Sequence, residues 1–350
     1  MDSLQARIDL ILERWRDERQ LGYRHFKSGS NDSITDVVGV TVGHSTIDNG
    51  ELQTGVTAIS PCVENIYQNA LPCGAAVLNG FAKPIGLVQI EELGVLETPI
   101  VLTNTLSVGR AFTGTVRHVL KTNPEIGRSL PTVNPLVLEC NDGYLNDIQA
   151  LAVTEEMVME TLESTDIVFE RGSIGAGRGM SCFALKGGIG SSSCYVPELD
   201  ATLGVLVLAN FGALSALQLE GVPMGKTIEQ YLQQHAPQED KGSIIILMAT
   251  DAPLEARQLK RIAKRAGAGL GRLGSYWGHG SGDIAVAFST CSQPCPPPDA
   301  QLDPMLRAAA EGTERAVIDA LLQATHVQGF DGHQRMALSD VLDGLVNQQK

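Results

Sequence analysis

Gly242-Ser243-Ile244-Ile245-Ile246-Leu247-Met248-Ala249 is the stretch on which the fold turns: six apolar residues run unbroken after a glycine and a serine. Strict alternation would mark a strand with one wet face. A short unbroken apolar run marks a strand covered on both faces. Two further stretches repeat the pattern. Gly204-Val205-Leu206-Val207-Leu208-Ala209 stops at Asn210-Phe211-Gly212, and Ile284-Ala285-Val286-Ala287-Phe288 follows Gly278-His279-Gly280-Ser281-Gly282-Asp283. Leu136 to Leu138 is a shorter version that runs into Glu139-Cys140-Asn141-Asp142-Gly143-Tyr144. Upstream, Ile34 to Val42 (followed by Gly43-His44), Gly55 to Ile59, Gly74 to Leu78 and Pro99 to Leu102 read as further strands.

Helical periodicity marks residues 4–20 as a surface helix and Val108 to Leu120 as a second. Between the last two strands, Leu259, Ile262, Ala266, Leu270 and Leu273 form one apolar stripe, with Asp251 as cap, Pro253 in the first turn and Gly274 at the end. A helix from about Met305 to Gln323 closes the fold. Strands buried on both faces with helices outside give a layered α/β (α+β) architecture. No linker or repeat divides the chain, so residues 1–350 read as one large domain.

The composition is that of an ordinary globular protein, with 43% hydrophobic and 19% charged residues. A net charge of −14 disfavours a nucleic-acid partner, since phosphate binding needs a basic surface. The basic cluster from Arg257 to Arg272 has helical spacing and reads as a solvated helix face. Met1 to Gln20 lacks the apolar core of a signal peptide, and no run approaches the length that spans a bilayer, so no membrane association and a cytoplasmic location are expected. The cysteines, Cys62, Cys73, Cys140, Cys182, Cys194, Cys291 and Cys295, form no CxxC pair and read as reduced thiols; no metal and no cofactor are expected.

Polar clusters follow strands 136–138 and 204–209 but precede strands 244–249 and 284–288. If the first pair runs antiparallel to the second, all four clusters meet at one edge. Glu139, Asn141, Tyr144, Asn210, Ser243, Ser281 and Asp283 would then share a site. Each taken singly is an ordinary turn residue; the collection beside buried strands points to chemistry. A serine hydroxyl needs a base beside it. An amino-terminal serine brings its own, an α-amine with a pKa of about 7.7–8.0. Backbone cleavage at Gly242-Ser243 would create such an end, and glycine leaves that carbonyl unhindered. The polar stretch Gln233 to Lys241 would let the new ends separate.

At these residues the chain resembles the DmpA-type L-aminopeptidase/D-esterase family, which includes the β-peptidyl aminopeptidases. The similar blocks are Gly242-Ser243-Ile244-Ile245, Ala249-Thr250-Asp251-Ala252-Pro253-Leu254 and Gln258-Leu259-Lys260-Arg261. Others are Asp32-Ser33-Ile34-Thr35-Asp36-Val37, Gly55-Val56-Thr57-Ala58, Leu102-Thr103-Asn104-Thr105 and Asn141 to Asp147. Gly175-Ala176-Gly177-Arg178-Gly179-Met180, Lys186-Gly187-Gly188-Ile189-Gly190 and Gly280-Ser281-Gly282-Asp283 complete the match, in order and over nearly the whole chain. The resemblance implies a four-layer αββα sandwich and a precursor that cuts itself before Ser243 into residues 1–242 and 243–350. It also implies homo-oligomers of the cleaved units. Ser243 matches the nucleophile, Asn210 an oxyanion-stabilising asparagine, Ser281 and Asp283 a Ser-x-acid pair that tunes the serine, and Tyr144 a site-lining tyrosine. Glu139 is assigned to the substrate's free ammonium group, with Asn141 also in the substrate-binding set. Small peptides, amides or esters with a free amino terminus are the implied substrates. Two departures stand out: Phe81-Ala82-Lys83-Pro84 replaces an acidic position after Asn79-Gly80, and Tyr23 to Gly29 lacks an expected proline pattern.

Rival readings use other features. His279, Ser281 and Asp283 could form a Ser-His-acid triad, though they crowd into five residues. A self-cleaving acyltransferase acting on ornithine would use threonine where Ser243 stands. Gly175 to Gly179 reads G-x-G-x-G, without the Lys-Ser/Thr of a phosphate loop, and so reads as a turn. A non-enzymatic binding relative would have no need of Ser243, Asn210 and Asp283.

Overall fold

The apolar run 244–249 lies in the middle of a strand with neighbours on both sides. The computed structural model describes residues 4–233, 242–291 and 295–348; most of the polar stretch 233–241 lies outside them. In chain order the strands of the two main sheets are β1 (Thr41–Asn49), β2 (Leu52–Ser60), β3 (Leu71–Gly80), β4 (Val95–Leu96) and β5 (Ile100–Asn104). They continue with β6 (Leu136–Cys140), β7 (Gly188–Val196), β8 (Ala201–Asn210), β9 (Gly242–Thr250) and β10 (Ser281–Ser289). One sheet has the order β1-β2-β5-β6, the other β4-β3-β10-β9-β8-β7. β9 runs antiparallel to β8 and parallel to β10.

Why β9 is continuously apolar is clear from its alternation. Ile245, Leu247 and Ala249 enter a core shared with Ile59, Leu102, Leu136 and Leu138 of the smaller sheet. Ile244, Ile246 and Met248 enter a second core with Leu259, Ile262, Leu270 and Val317 of the helices Ala256–Ala263, Ala266–Arg272 and Asp303–Gln323. A third core joins Val56, Val101 and Val137 to Val108 and Ala111 of helix Val108–Thr122 and Val158 of helix Glu155–Glu163. Three apolar seams between two sheets and two helical layers make the four-layer αββα sandwich. Close approach sets the outer layer: a Cβ on Gly190 would sit 2.0 Å from the carbonyl oxygen of Ala316, so only glycine lets helix Asp303–Gln323 lie this near β7.

Several local expectations need correction. Ile34 to Val42 is not one strand: Ile34–Asp36 is a 3-10 turn and β1 starts at Thr41. Ser33 Oγ accepts from the Thr35 N–H while the Asp36 carboxylate accepts from that of Ser33, and this capping box wins over β propensity. Gly43 and His44 accordingly lie within β1. Downstream, Asp251 accepts from the Thr202 N–H at 2.8 Å, and Glu255 caps the following helix with Gln258. The apolar stripe is buried as expected, but on two helices that break at Lys264 and Arg265. The first helix ends at Glu18 and is not purely superficial, since Ile8, Ile11, Leu12 and Trp15 are buried. The fold closes with Leu338–Gln348, beyond the helix taken as last.

The loop before β7 bears directly on the site. Lys186 is fully buried, and its ammonium donates to the carbonyls of Gly177, Met180 and Gly187 at 2.9, 2.9 and 2.7 Å. Burial pushes its pKa well below the usual lysine value. The three bonds tie the glycine-rich loop into a fixed shape that presents Ser181.

Two stability changes are expected. Leu247→Ala, in the seam between the sheets, should lower unfolding free energy by about 2–5 kcal/mol in denaturant titrations. Lys186→Met, which takes one donor from each of three buried carbonyls while Gly177 and Met180 keep backbone donors, should cost about 1–3 kcal/mol. A Lys186→Met protein as stable as the parent would show that the backbone donors already on the Gly177 and Met180 carbonyls suffice.

Candidate active site

The end of β8, the starts of β9 and β10 and the turn after β6 converge, as the placement of the polar clusters predicts. Asn210, the last residue of β8, lies directly opposite Ser243 in the antiparallel ladder. Directly opposed residues share a face, with Cβ atoms about 4.5–5.5 Å apart. That face looks into the seam between the sheets, because Leu206 and Leu208 of β8 and Ile245 and Leu247 of β9 lie on it. Both side chains are buried, Asn210 being 6% and Ser243 5% exposed.

The Asn210 amide is held from two sides. Its Oδ1 accepts from the Ser181 N–H at 2.8 Å and its Nδ2 donates to the carbonyl of Asn141 at 2.9 Å. One of the two Nδ2 hydrogens is thereby used; the other belongs to an amide whose plane is fixed. The turn that supplies Asn141 is itself anchored by Asp142, whose carboxylate accepts from Thr54 Oγ1 at 2.5 Å and Asn146 Nδ2 at 3.1 Å. Burial raises the Asp142 pKa to about 6.

On the other side of Ser243, its partner in β10 is Gly282. Ser281 and Asp283 flank that glycine, and Ser281 Oγ donates to Asp283 Oδ1 at 2.6 Å. Strand alternation puts this pair with Ala285 and Ala287, on the face opposite the Ser243 hydroxyl. The atom of Ser243 that lies between the faces is its main-chain nitrogen. Gly242, just before it, has φ +121°, and a Cβ there would sit 2.0 Å from the Asn210 carbonyl oxygen. The position accepts glycine alone.

A cavity of about 490 Å³ opens at this edge, bounded by Asn141, Tyr144, Ser181, Asn210, Gly242 and Arg335. A larger groove of about 900 Å³, along Ala75 to Leu78, Leu87 and Val88, contains none of the converging residues. Tyr144 is 38% exposed, stacks on His333 at 4.4 Å and carries the Arg335 guanidinium over its ring at 3.6 Å. Glu139 is 2% exposed; one oxygen accepts from the Lys83 N–H at 2.8 Å and the other from Thr105 Oγ1. It is committed to protein donors, although each carboxylate oxygen keeps a second lone pair. The divergent stretch Phe81 to Pro84 sits beside the site, since the Phe81 N–H donates to the Ser281 carbonyl. Lys83 Nζ lies 4.4 Å over the Phe81 ring.

His279 is exposed while Ser281, its supposed triad partner, is buried and bonded to Asp283. Gly175–Gly177 is a turn packed against β2, where added Cβ atoms on Gly175 would strike Thr57 and His44. Among the described residues no group of three or more His, Cys, Asp or Glu could hold a metal ion, and no helix is long and apolar enough to cross a membrane. Sequence reasoning missed Ser181, Lys186 and Arg335. A lone lysine between Leu185 and two glycines was a legible signal for the second; nothing local marks the other two.

Comparison with known proteins bears directly on this constellation. Residues 32–335 match the sequence pattern of peptidase family S58. A β-peptidyl aminopeptidase BapA of Sphingosinicella microcystinivorans is 34% identical over 343 residues, covering 88% of this chain and 85% of its own. Among solved structures, a protein of Pyrococcus horikoshii OT3 superposes with a TM-score of 0.86 at 45% identity, covering 95% of this chain and 98% of that one. The L-aminopeptidase D-Ala-esterase/amidase of Ochrobactrum anthropi, a variant of the Ntn hydrolase fold, gives a TM-score of 0.82 at 33% identity, covering 94% and 97%. The chain belongs to peptidase family S58, the DmpA-type group of its sequence resemblance, and is a hydrolase of the aminopeptidase class.

Proposed function

We propose that the protein cuts its own chain between Gly242 and Ser243 and then uses the new amino-terminal serine to release amino-terminal residues from small peptides, amides and esters. The observation that carries this reading is the opposition of Asn210 and Ser243 on one buried face, beside a cavity that Asn210 and Gly242 line. In self-cleavage the Ser243 hydroxyl attacks the Gly242 carbonyl and the peptide C–N bond breaks. An ester links the two pieces until water releases the Gly242 carboxylate. The serine is left with a free α-amine and its hydroxyl restored.

In turnover the α-amine takes the hydroxyl proton as Ser243 Oγ attacks the substrate carbonyl. The oxyanion that develops is met by the Asn210 amide, held rigid by Ser181 and Asn141. The leaving amine departs with the proton, and water then attacks the acyl-enzyme by the same route. Ser281 and Asp283 act on the α-amine, the part of Ser243 that the pleat leaves within their reach. Tyr144 and Asn141 line the substrate's path, and Glu139 receives its ammonium group through the remaining lone pairs. L-amino acids or β-amino acids such as β-alanine are the acyl residues of this proposal; the similarity to a β-peptidyl aminopeptidase supports the second. The cleaved pairs, 1–242 with 243–350, assemble as homo-oligomers in the cytoplasm.

Purified protein should run as two bands on a denaturing gel, with masses ending at Gly242 and starting at Ser243, and Ser243→Ala should give one unbroken, inactive chain. Fully active single-chain material would end the proposal. For already cleaved enzyme, kcat/KM on alanyl or β-alanyl p-nitroanilide should rise with pH through about 7.7–8.0, the range of a free α-amine. Asn210→Ala should lower kcat by about a hundred- to a thousandfold. A loss confined to KM would remove Asn210 from the transition state.

A further inference from the structure

Among the described residues, Arg335 brings the one charged side chain to the lining of the active-site cavity, beside Asn141, Tyr144, Ser181, Asn210 and Gly242. It comes from a segment 92 residues beyond Ser243, between the helices Asp303–Gln323 and Leu338–Gln348. Its guanidinium makes no ion pair among the described residues. It lies 3.6 Å over the Tyr144 ring, Nε donates to Ser181 Oγ at 3.2 Å, and Nη1 donates to the Gln334 carbonyl at 3.4 Å. A guanidinium carries five N–H donors in a planar fork, so these bonds leave part of the fork unused. Burial also lowers its pKa from the usual arginine value, the mark of a cation partly stripped of water. The ring contact and the two hydrogen bonds hold the guanidinium in place, and Tyr144 is braced in turn by stacking on His333 at 4.4 Å.

We infer that Arg335 receives the terminal carboxylate of the leaving amino acid, so that free dipeptides are the preferred substrates. The inference rests on the aminopeptidase reading of Ser243 and Asn210 given above. A planar, oriented fork facing a cavity suits a carboxylate, which it can hold through two parallel bonds. The free ammonium end of the substrate is repelled from it, which assigns this side of the cavity to the leaving portion. Distance sets the length of that portion. Ser181 donates its N–H to Asn210 Oδ1 and accepts from Arg335 with its hydroxyl, so a single residue links the side-chain amide that carries the oxyanion donor to the guanidinium. One extended residue spans about 3.3–3.6 Å; one amino acid after the scissile bond therefore brings its carboxylate to Arg335. A longer peptide would have to turn away from the fork.

The test compares L-alanyl-L-alanine and β-alanyl-L-alanine with their carboxy-terminal amides, using L-alanyl and β-alanyl p-nitroanilide as carboxylate-free references. For the wild-type protein, kcat/KM should favour the free acid over the amide by roughly ten- to a hundredfold, the range of a charged hydrogen-bonded contact. In Arg335→Gln that acid-to-amide ratio should fall to near one, and in Arg335→Lys to a value between. The ratio cancels any disturbance of Asn210 transmitted through Ser181, because both substrates meet it equally. A wild-type ratio of one or less overturns the inference without need of any variant, as does a ratio that survives Arg335→Gln. If neither dipeptides nor p-nitroanilides are cleaved, the aminopeptidase reading of this site fails. Cleavage of the p-nitroanilides with no preference for the acid sinks the carboxylate site alone.

Discussion

The antiparallel register between β8 and β9 is the constraint on which the site depends. It puts Asn210 opposite Ser243 and Leu208 opposite Ile245 in one ladder, so the apolar packing that fixes the strands also fixes the polar pair. A slip by one residue would turn every side chain of β9 to the other seam. Ile245 and Leu247 would then leave the core between the sheets for the helical one, while Ser243 turned away from Asn210. The hydrophobic effect thus selects the register of the hydrogen-bonded ladder, and with it the relation between a hydroxyl and an amide at the edge of the sheet.

Around that register the sequence supplies local reinforcement rather than driving force. Lys186 closes the loop that carries Ser181; Ser181 and Asn141 clamp the Asn210 amide; Asp142 anchors the turn that carries Asn141. Lys186, Asn210 and Asp142 are buried, Ser181 is half-buried and Asn141 is exposed; all are partnered, and each holds the next. Such a chain explains why residues with no direct access to the cavity still bear on the geometry at its mouth. Asn210 needs this more than an ordinary core residue, because an oxyanion donor contributes only if its amide is oriented before reaction.

Much of the architecture could be read before any coordinates. Unbroken apolar runs marked strands covered on both faces, and the order of runs and polar clusters carried the convergence of Asn141, Asn210, Ser243 and Ser281. Boundaries set by side-chain to backbone bonds were harder. Ser33 and Asp36 turn an apolar-looking segment into a 3-10 turn, and Asp251 serves a strand end instead of a helix. The short helix Leu87–Leu93 and the closing helix Leu338–Gln348 escaped notice because tertiary packing, not a long periodic stripe, fixes them. Arg335 and Ser181 were invisible for a further reason. Their meaning lies in contacts with Tyr144 and Asn210 across long stretches of chain, and no spacing rule connects them. For Glu139 the type was legible but the environment was not: two protein donors already claim its oxygens.

The strand order of the larger sheet has a mechanical consequence. β10 and all of β9 but its first residue, Gly242, come from the chain after residue 242, yet they lie between β3 and β8, which come from before it. The two portions are therefore interleaved like the fingers of clasped hands. A cut at 242–243 would sever one covalent link at the sheet's margin and leave every ladder and all three apolar seams in being. Neither portion could build its share of the sheet alone: one would lack its centre, the other both its flanks. Scission of this kind frees a terminus without freeing a subunit.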